Sequence, residues 1–580
     1  MGVDCSLRSP SSSAVLGEGQ RPRAVVVIEP AAAIKAAIHP DDVEPPLDEP
    51  RPENGTDIAV GAGNQYSHSS SHASKKNQNC KDRKELCCEQ ALFICGNLVE
   101  MIGDCQFFRY VSSGIVLGVI WALTGEPSSP GDNSVAEAST PSYPVRASST
   151  NRYLVDQNDQ PFMIVGDSPH SLIGRMSKSD VGFYMANRRR YGVNTLWVEL
   201  LCNNKTGCNE DGTTFDGIAP FTTPGDLSTP NPEYFQRVDD MLKIAATHGI
   251  TLLLDAVETD GWLATFKANG PEKAEAFGRY LGDRYRDVPN IIWMYGNDFQ
   301  TWGDPVDDAV VLAVAKGIKS NDPNHIHTTE LNYPTSGSLD DARWEPVVEL
   351  DGAYTYYPTY AQVLKEYNRD NFKPIFMEEA NYEFEHNSNT DGGSSANLRH
   401  QEYWTMLSGA TGQLYGSAYT WRLPVGWFSD WRLRLSAGRL LGWHSNLDTP
   451  GVMQLSHMKN LFAPRKWYEL VPDQTHTAVT GGYGTPAPFG TGSVTTDTYA
   501  TAARTPDGTL MIAYMPSIRT ISVDMSKLAG PTAAHWYDPT NAEYISVSGS
   551  PFPNEGTRQF TPPGNNHDGD GDWLLLLESK

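Results

Sequence analysis

The stretches IIWMYGNDF (Ile291–Phe299) and KPIFMEEANYE (Lys373–Glu383) each run as an apolar strand that ends abruptly in acid. Strands that are apolar throughout, without polar alternation, belong to sheets covered on both faces. Working outward, six further runs have the same texture: FMIVGD (Phe162–Asp167), NTLWVEL (Asn194–Leu200), ITLLLDAV (Ile250–Val257), HIHTTEL (His325–Leu331), GAYTYY (Gly352–Tyr357) and QLYGSAYTW (Gln413–Trp421). A helix-like segment follows each. Eight such units in succession predict an α/β protein with a (β/α)8 TIM barrel over residues 150–463. No Gly-rich phosphate fingerprint follows the first strand, which argues against an open dinucleotide-binding sheet.

The helices carry their own punctuation. Ser177 with Asp180 has the spacing of a capping box. Asn231 caps a helix that Pro232 opens and Gly249 ends, and Pro271 starts another whose Ala274, Phe277, Leu281 and Tyr285 share one face. Beyond Pro464 helical periodicity disappears. Short β-prone runs, among them TLMIAYM (Thr509–Met515) and DWLLLLE (Asp572–Glu578), alternate with Gly and Pro turns and predict a small all-β sandwich over 464–580.

Ahead of the barrel, residues 1–106 are rich in Ser, Pro, Asn and His and read as disordered, or as lying upstream of the true start. The charge-free run YVSSGIVLGVIWALT (Tyr110–Thr124) gives 107–125 the character of a signal peptide or a transmembrane anchor. Residues 126–149 read as a Pro/Ser linker. The chain is thus expected to be secreted or membrane-anchored, with its barrel outside the cytoplasm. Cys202 and Cys208, in CNNKTGC, suit a disulfide-closed loop there, with reduced surface thiols as the alternative. Asn204 opens a glycosylation sequon.

Acids outnumber bases 70 to 45, for a formal charge of −25, which disfavours nucleic acid as a partner. The 14 Trp and 26 Tyr suit sugar stacking as well as ordinary packing.

In a parallel barrel all strand C-termini open on one face, which brings Asp298 and Glu379 together. A converging carboxylate pair is what glycoside hydrolysis requires. Because strand residues alternate sides, only one of Glu378 and Glu379 faces the mouth. Asp167 and His170 are candidates to hold a substrate hydroxyl, or else a helix cap and a packed histidine. Tyr356, Tyr357 and Trp421 are candidate sugar platforms, and Trp262, Trp302 and Trp427 candidate outer-subsite or packing residues. Glu330 and Asp255 belong either to the site wall or to ion pairs. His325 and His327 share a strand face but lack a third metal ligand. Asp568, Asp570 and Asp572, in HDGDGDW, read as a solvated turn rather than a calcium loop. No cofactor or metal is called for.

GDSPHSL (Gly166–Leu172), PNIIWMYGNDF (Pro289–Phe299), HTTELNYP (His327–Pro334), KPIFMEEANYE and SGATGQLYGSAYTW (Ser408–Trp421) together resemble the apiosidase-like glycoside hydrolases of family 140 and its relatives. HWYDPTNAEY (His535–Tyr544) and GDGDWLLLL resemble the collagen-binding-like module appended to them. The resemblance implies a retaining hydrolase of plant or microbial polysaccharide or oligosaccharide, with apiose-containing pectic side chains a known substrate type. It implies Asp298, after Asn297, as general acid/base, and Glu379 as nucleophile, with Asn297 orienting the sugar or the nucleophile. A non-catalytic glycan- or matrix-binding protein on an inherited barrel is the competing reading.

Overall fold

The computed structural model describes residues 141–385, 392–423 and 442–579. The N-terminal region to residue 140, with its signal or anchor segment, and Trp427 lie outside the described residues. Among the described residues no helix is long and apolar enough to cross a membrane.

The chain enters through a three-stranded antiparallel hairpin, β1 (Arg146–Ala147), β2 (Leu154–Val155) and β3 (Pro161–Phe162). The last part of the expected linker, from 141 to 149, is therefore built into the fold, because Val145 is buried. With Leu154 and Phe162, Val145 joins a cluster containing Ile164, Trp197, Leu253, Ile292, Ile326, Leu350, Phe376 and Leu414, one from each expected barrel strand or its immediate approach.

The main sheet has eight strands: β4 (Ile164–Asp167), β5 (Thr195–Glu199), β6 (Thr251–Glu258), β7 (Ile291–Gly296), β8 (Thr335–Gly337), β9 (Asp351–Thr355), β10 (Ile375–Glu379) and β11 (Gly412–Tyr415). Their order is β7-β6-β5-β4-β11-β10-β9-β8, all parallel except β8, which runs antiparallel along β9. It is a curled, mostly parallel sheet of the TIM-like kind.

Seven of the eight expected strands form, and the fifth, His325–Leu331, departs. It touches β7 through one bridge, Trp293 with His327. Thr328 N and Glu330 N donate to Trp293 O and Tyr295 O at 2.9 and 2.8 Å. Toward β9 its Thr329 carbonyl accepts instead from the Ser338 hydroxyl at 2.5 Å, whose oxygen accepts from Gly352 N at 2.8 Å. A side chain thus spans a gap that ladder bonds fill elsewhere.

The helices begin where their caps predict. Helix α1 (Lys178–Arg190) starts with the Ser177–Asp180 capping box, and α2 (Pro232–Thr247) is capped by Asn231. Helix α3 (Thr259–Tyr285) breaks at Gly270, φ 77°, just before Pro271, where the ring would clash with a continuous helix. Helices α4 (Pro305–Asn321), α5 (Thr359–Tyr367), α6 (Ser395–Leu407) and α7 (Pro450–Phe462) complete the cover.

The C-terminal part forms two antiparallel sheets. The larger joins β12 (Val471–Pro472), β14 (Thr501–Arg504), β15 (Leu510–Met515), β17 (Thr532–Tyr537), β18 (Tyr544–Ser546) and β20 (Trp573–Ser579), and the smaller joins β13 (Val479–Gly481), β16 (Ile521–Asp524) and β19 (Thr557–Phe560). Met511, Ala513, Leu575 and Leu577 face the smaller sheet. Alternate residues Ile512, Tyr514, Leu574 and Leu576 pack with Tyr403, Trp404 and Phe462 of α6 and α7. The run of four leucines is unalternated because the strand is covered on both sides.

Candidate active site

The backbone turns sharply at Gly296-Asn297-Asp298, all three with positive φ (120°, 60° and 54°). A Cβ at Gly296 would stand 2.0 Å from the Glu330 carbonyl, so only glycine fits there. The turn lifts Asp298 over the end of β7, where its N–H donates to Glu330 Oε2 at 2.8 Å. Left-handed backbone at two non-glycine residues is a strain that functional sites commonly retain.

Glu379, ending β10, is 8 % exposed. Its Oε1 accepts from the Tyr356 hydroxyl, and its Oε2 accepts from the Tyr382 hydroxyl at 2.8 Å. The Tyr354 hydroxyl lies 2.8 Å from Asp298 Oδ1 and 2.9 Å from the Tyr356 hydroxyl. Asp298 and Glu379 are therefore joined across the strand ends by two phenol oxygens. The alternation predicted for β10 sends Glu378 the other way, where its Oε2 would sit 1.8 Å from any Cβ at Gly352. Burial, and then the charge of Asp351, raise its carboxyl well above the ordinary range.

Burial is the largest influence on both facing carboxyls. Asp298 is raised to about 6, with the Tyr354 hydroxyl opposing and Asp260 adding to the rise. Glu379 is raised to about 8, by burial and by the charge of Asp298, against the two tyrosine donors. Hydrogen-bond donors thus surround Glu379, and both carboxyls stand above the ordinary carboxyl range.

A buried polar layer supports the pair. Asn297 Nδ2 donates to Glu199 Oε1 at 2.8 Å, and Thr206 Oγ1 donates to Glu199 Oε2 at 2.6 Å. His170 stacks on Trp197 with ring centroids 4.2 Å apart, and its Nε2 lies 3.1 Å from the Tyr382 hydroxyl. Burial lowers His170 to about 3, so it is neutral and holds Tyr382 by hydrogen bonding rather than charge.

Several candidates sit elsewhere than expected. Asp167 is fully buried, bonded to Arg188 Nε and the Tyr184 hydroxyl; a substrate hydroxyl would have to displace an internal ion pair. Tyr356 points its hydroxyl at Glu379 instead of presenting a ring face. Tyr357 lies beyond the end of β9 and is half-buried. Trp421 remains half-buried beside the site, edge-on to His170 at 5.8 Å and donating to Glu385 at 2.6 Å. Trp262 is buried, and Trp302 donates to Asn332 at 2.6 Å. Glu330 belongs to the wall beneath Asp298; Asp255 is buried deeper, raised by burial and by Glu199. His325 pairs with Asp322 at 2.6 Å and His327 with Tyr295 at 2.8 Å, and no metal-binding cluster occurs among the described residues. Asp572 is not solvated: it meets buried Arg399 in two bonds of 2.8 Å. Cys202 and Cys208 form a disulfide.

The residues that sequence reasoning missed are Tyr354, Tyr382 and Glu199. Tyr354 was readable in GAYTYY, since two-residue spacing puts it on the same face as Tyr356.

No curated protein matches the chain. Of solved structures, it is similar to a glycoside hydrolase, at 22 % identity and TM-score 0.64, covering 76 % of this chain and 97 % of that one. It is also similar to a glycoside hydrolase family 5 structure from Bacteroides vulgatus, at 23 % identity and TM-score 0.63, covering 75 % and 93 %. Both support the fold. Residues 490–578 match the family described as "Putative collagen-binding domain of a collagenase". Residues 148–469, more than half the chain, match the family described as apiosidase-like, catalytic domain, and the chain belongs to that glycosidase family.

Proposed function

We propose that the protein is a retaining glycoside hydrolase of plant or microbial polysaccharide, with apiose-containing pectic side chains as its substrate class. The observation that carries this reading is the facing pair, Asp298 and Glu379, joined through Tyr354 and Tyr356. In it Asp298 donates its proton to the leaving oxygen while Glu379 attacks the anomeric carbon. Asp298, then ionised, takes a proton from the water that releases the sugar from Glu379. Tyr356 and Tyr382 donate to the glutamate while it is charged, and the Glu199–Asn297 contact holds the Asn297 amide at the rim. Trp421, half-buried and with the Arg422 guanidinium over its ring at 4.2 Å, is the candidate surface for a sugar ring.

The scaffold of this reading is a (β/α)8 barrel over 150–463, with Ile326–Glu330 as its fifth stave, followed by a β-sandwich over 464–580. An extracytoplasmic location, by secretion or anchoring, agrees with the Cys202–Cys208 disulfide.

The test is to incubate the full chain with pectic fractions and follow the first-formed anomer by NMR. Release of apiose with its configuration retained is expected, and Glu379→Gln should abolish it. Inversion would refute the nucleophile role, and hydrolysis of other glycans alone would refute the substrate class. A Glu379→Gln variant with full activity would refute the site.

A further inference from the structure

The chain Asp298–Tyr354–Tyr356–Glu379 contains three close oxygen–oxygen contacts, yet its two phenols supply only two hydrogens. With both carboxyls ionised, one contact has no hydrogen and sets two oxygens against each other. With both protonated, a fourth hydrogen finds no contact in the chain and must turn to Asp298 Oδ2 or to Glu379 Oε2, which already accepts from Tyr382. The chain has one hydrogen for each contact, with none left over, only when the two carboxyls together carry one proton.

Two mirror-image arrangements satisfy that count. In the first, Asp298 donates to Tyr354, Tyr354 to Tyr356, and Tyr356 to ionised Glu379. In the second, Glu379 donates to Tyr356, Tyr356 to Tyr354, and Tyr354 to ionised Asp298. Passing from one to the other moves three hydrogens one step each, and no charge leaves the chain. We propose that Tyr354 and Tyr356 are positioning residues that hold one proton in common between Asp298 and Glu379, and reverse its place by relay. The proposal takes its catalytic meaning from the glycosidase reading, because only the first arrangement offers an acid and a charged nucleophile together.

Other titratable groups also face the pair. Glu330, Asp260 and His170 act on Asp298, and Tyr382, Glu330, Glu378 and Glu385 act on Glu379. None of them completes the three-contact chain.

Stabilising the one-proton state lowers the first ionisation of the pair and raises the second, so it widens the active pH range. The experiment is the pH profile of kcat/KM on the apiose-containing pectic fragment, or on whichever glycan is turned over, whose poor leaving group needs the proton, for the full chain and its Tyr354→Phe variant. In the variant both limbs should move inward, narrowing the active range by about one pH unit in all, as expected for loss of a hydrogen bond to a charged group. Both limbs moving the same way, or a lower rate with unchanged limbs, would overturn the proposal. A control on folding is built into the wild type: carboxyl carbon-13 NMR, assigned with Asp298→Asn and Glu379→Gln, should find one proton shared between the two signals across the active range. Two fully ionised signals there would overturn it as well. If Glu379→Gln abolishes turnover while the Tyr354→Phe limbs stay put, the relay fails and the hydrolase reading stands; if Glu379→Gln is active, the reading itself fails.

Discussion

Replacing Arg399 by Met should loosen the whole C-terminal half of the molecule. Arg399, on α6, is fully buried and meets Asp572 through Nε and one terminal nitrogen, both at 2.8 Å, while also reaching Asp570 at 2.7 Å and Gln454 at 2.8 Å. Methionine fills much of the stem volume, so the loss is chiefly that of the partner charge. Breaking a buried pair by removing one member costs about 3–5 kcal/mol, because the other charge is stranded. Asp572 would keep two donors, the Tyr514 hydroxyl at 3.2 Å and Asn566 Nδ2 at 2.8 Å, which places the expected loss near the lower end, about 3 kcal/mol. Urea unfolding of the full chain, followed by tryptophan fluorescence, measures it. Adding Asp572→Asn removes the stranded charge and should return more than half of the loss. Arg399 holds Asp572 below the ordinary carboxyl range despite its burial. The stabilisation is therefore fully present above about pH 4, the unfolded value, and fades as pH falls through the lower folded one. The difference between wild type and Arg399→Met should accordingly shrink at pH 3. A loss under about 1 kcal/mol at pH 7, or a double variant as weak as the single one, would refute this account of the junction.

Asp298→Asn should lower kcat/KM on natural linkages about 10²–10⁴-fold and on activated aryl glycosides less; equal losses across leaving groups would count against a proton-donor role. The values for Asp298 and Glu379, taken together as those of the pair, predict activity bounded by limbs near about 6 and about 8. Below the first both carboxyls are protonated and the nucleophile is lost, and above the second both are ionised and the acid is lost; a profile still rising at pH 9 would contradict this. Gly174→Ala should hinder the Cys202–Cys208 bond, since its Cβ would lie 2.5 Å from each sulfur. Its melting temperature should fall under oxidising conditions, and reducing the wild type should cost about 2 kcal/mol.

The strands that end in acid were legible because both signals, apolar continuity and a terminal carboxylate, are local. The helix caps at Ser177 and Asn231 were legible for the same reason. The fifth strand misled in part: HIHTTEL has strand-like residues, but its pairing toward β9 depends on Ser338, a position that no periodicity marks. Asp167 looked like a site residue because it ends a strand. Its true partner, Arg188, lies one helix later, and that ion pair is a tertiary fact. The burial of Asp572 was hidden for a similar reason, since an alternating Asp-Gly turn looks solvated until a buried arginine from another element meets it. The tyrosine chain needed the ends of three strands, β7, β9 and β10, brought together before its count of hydrogens could be made.

Strand β20 lies between β15 and β17, with the small sheet on one side and the helices α6 and α7 on the other. Such a strand leaves the terminal module no free inner wall, so it is not cargo that can be unplugged from the enzyme. Truncation before β12 would strip Tyr403, Trp404 and Phe462 bare, and transplanting the module alone would expose Tyr514, Leu574 and Leu576. What the module leaves open lies on its outside, at solvent-facing positions such as Thr557, Arg558 and Gln559, and the two halves hold together as one piece.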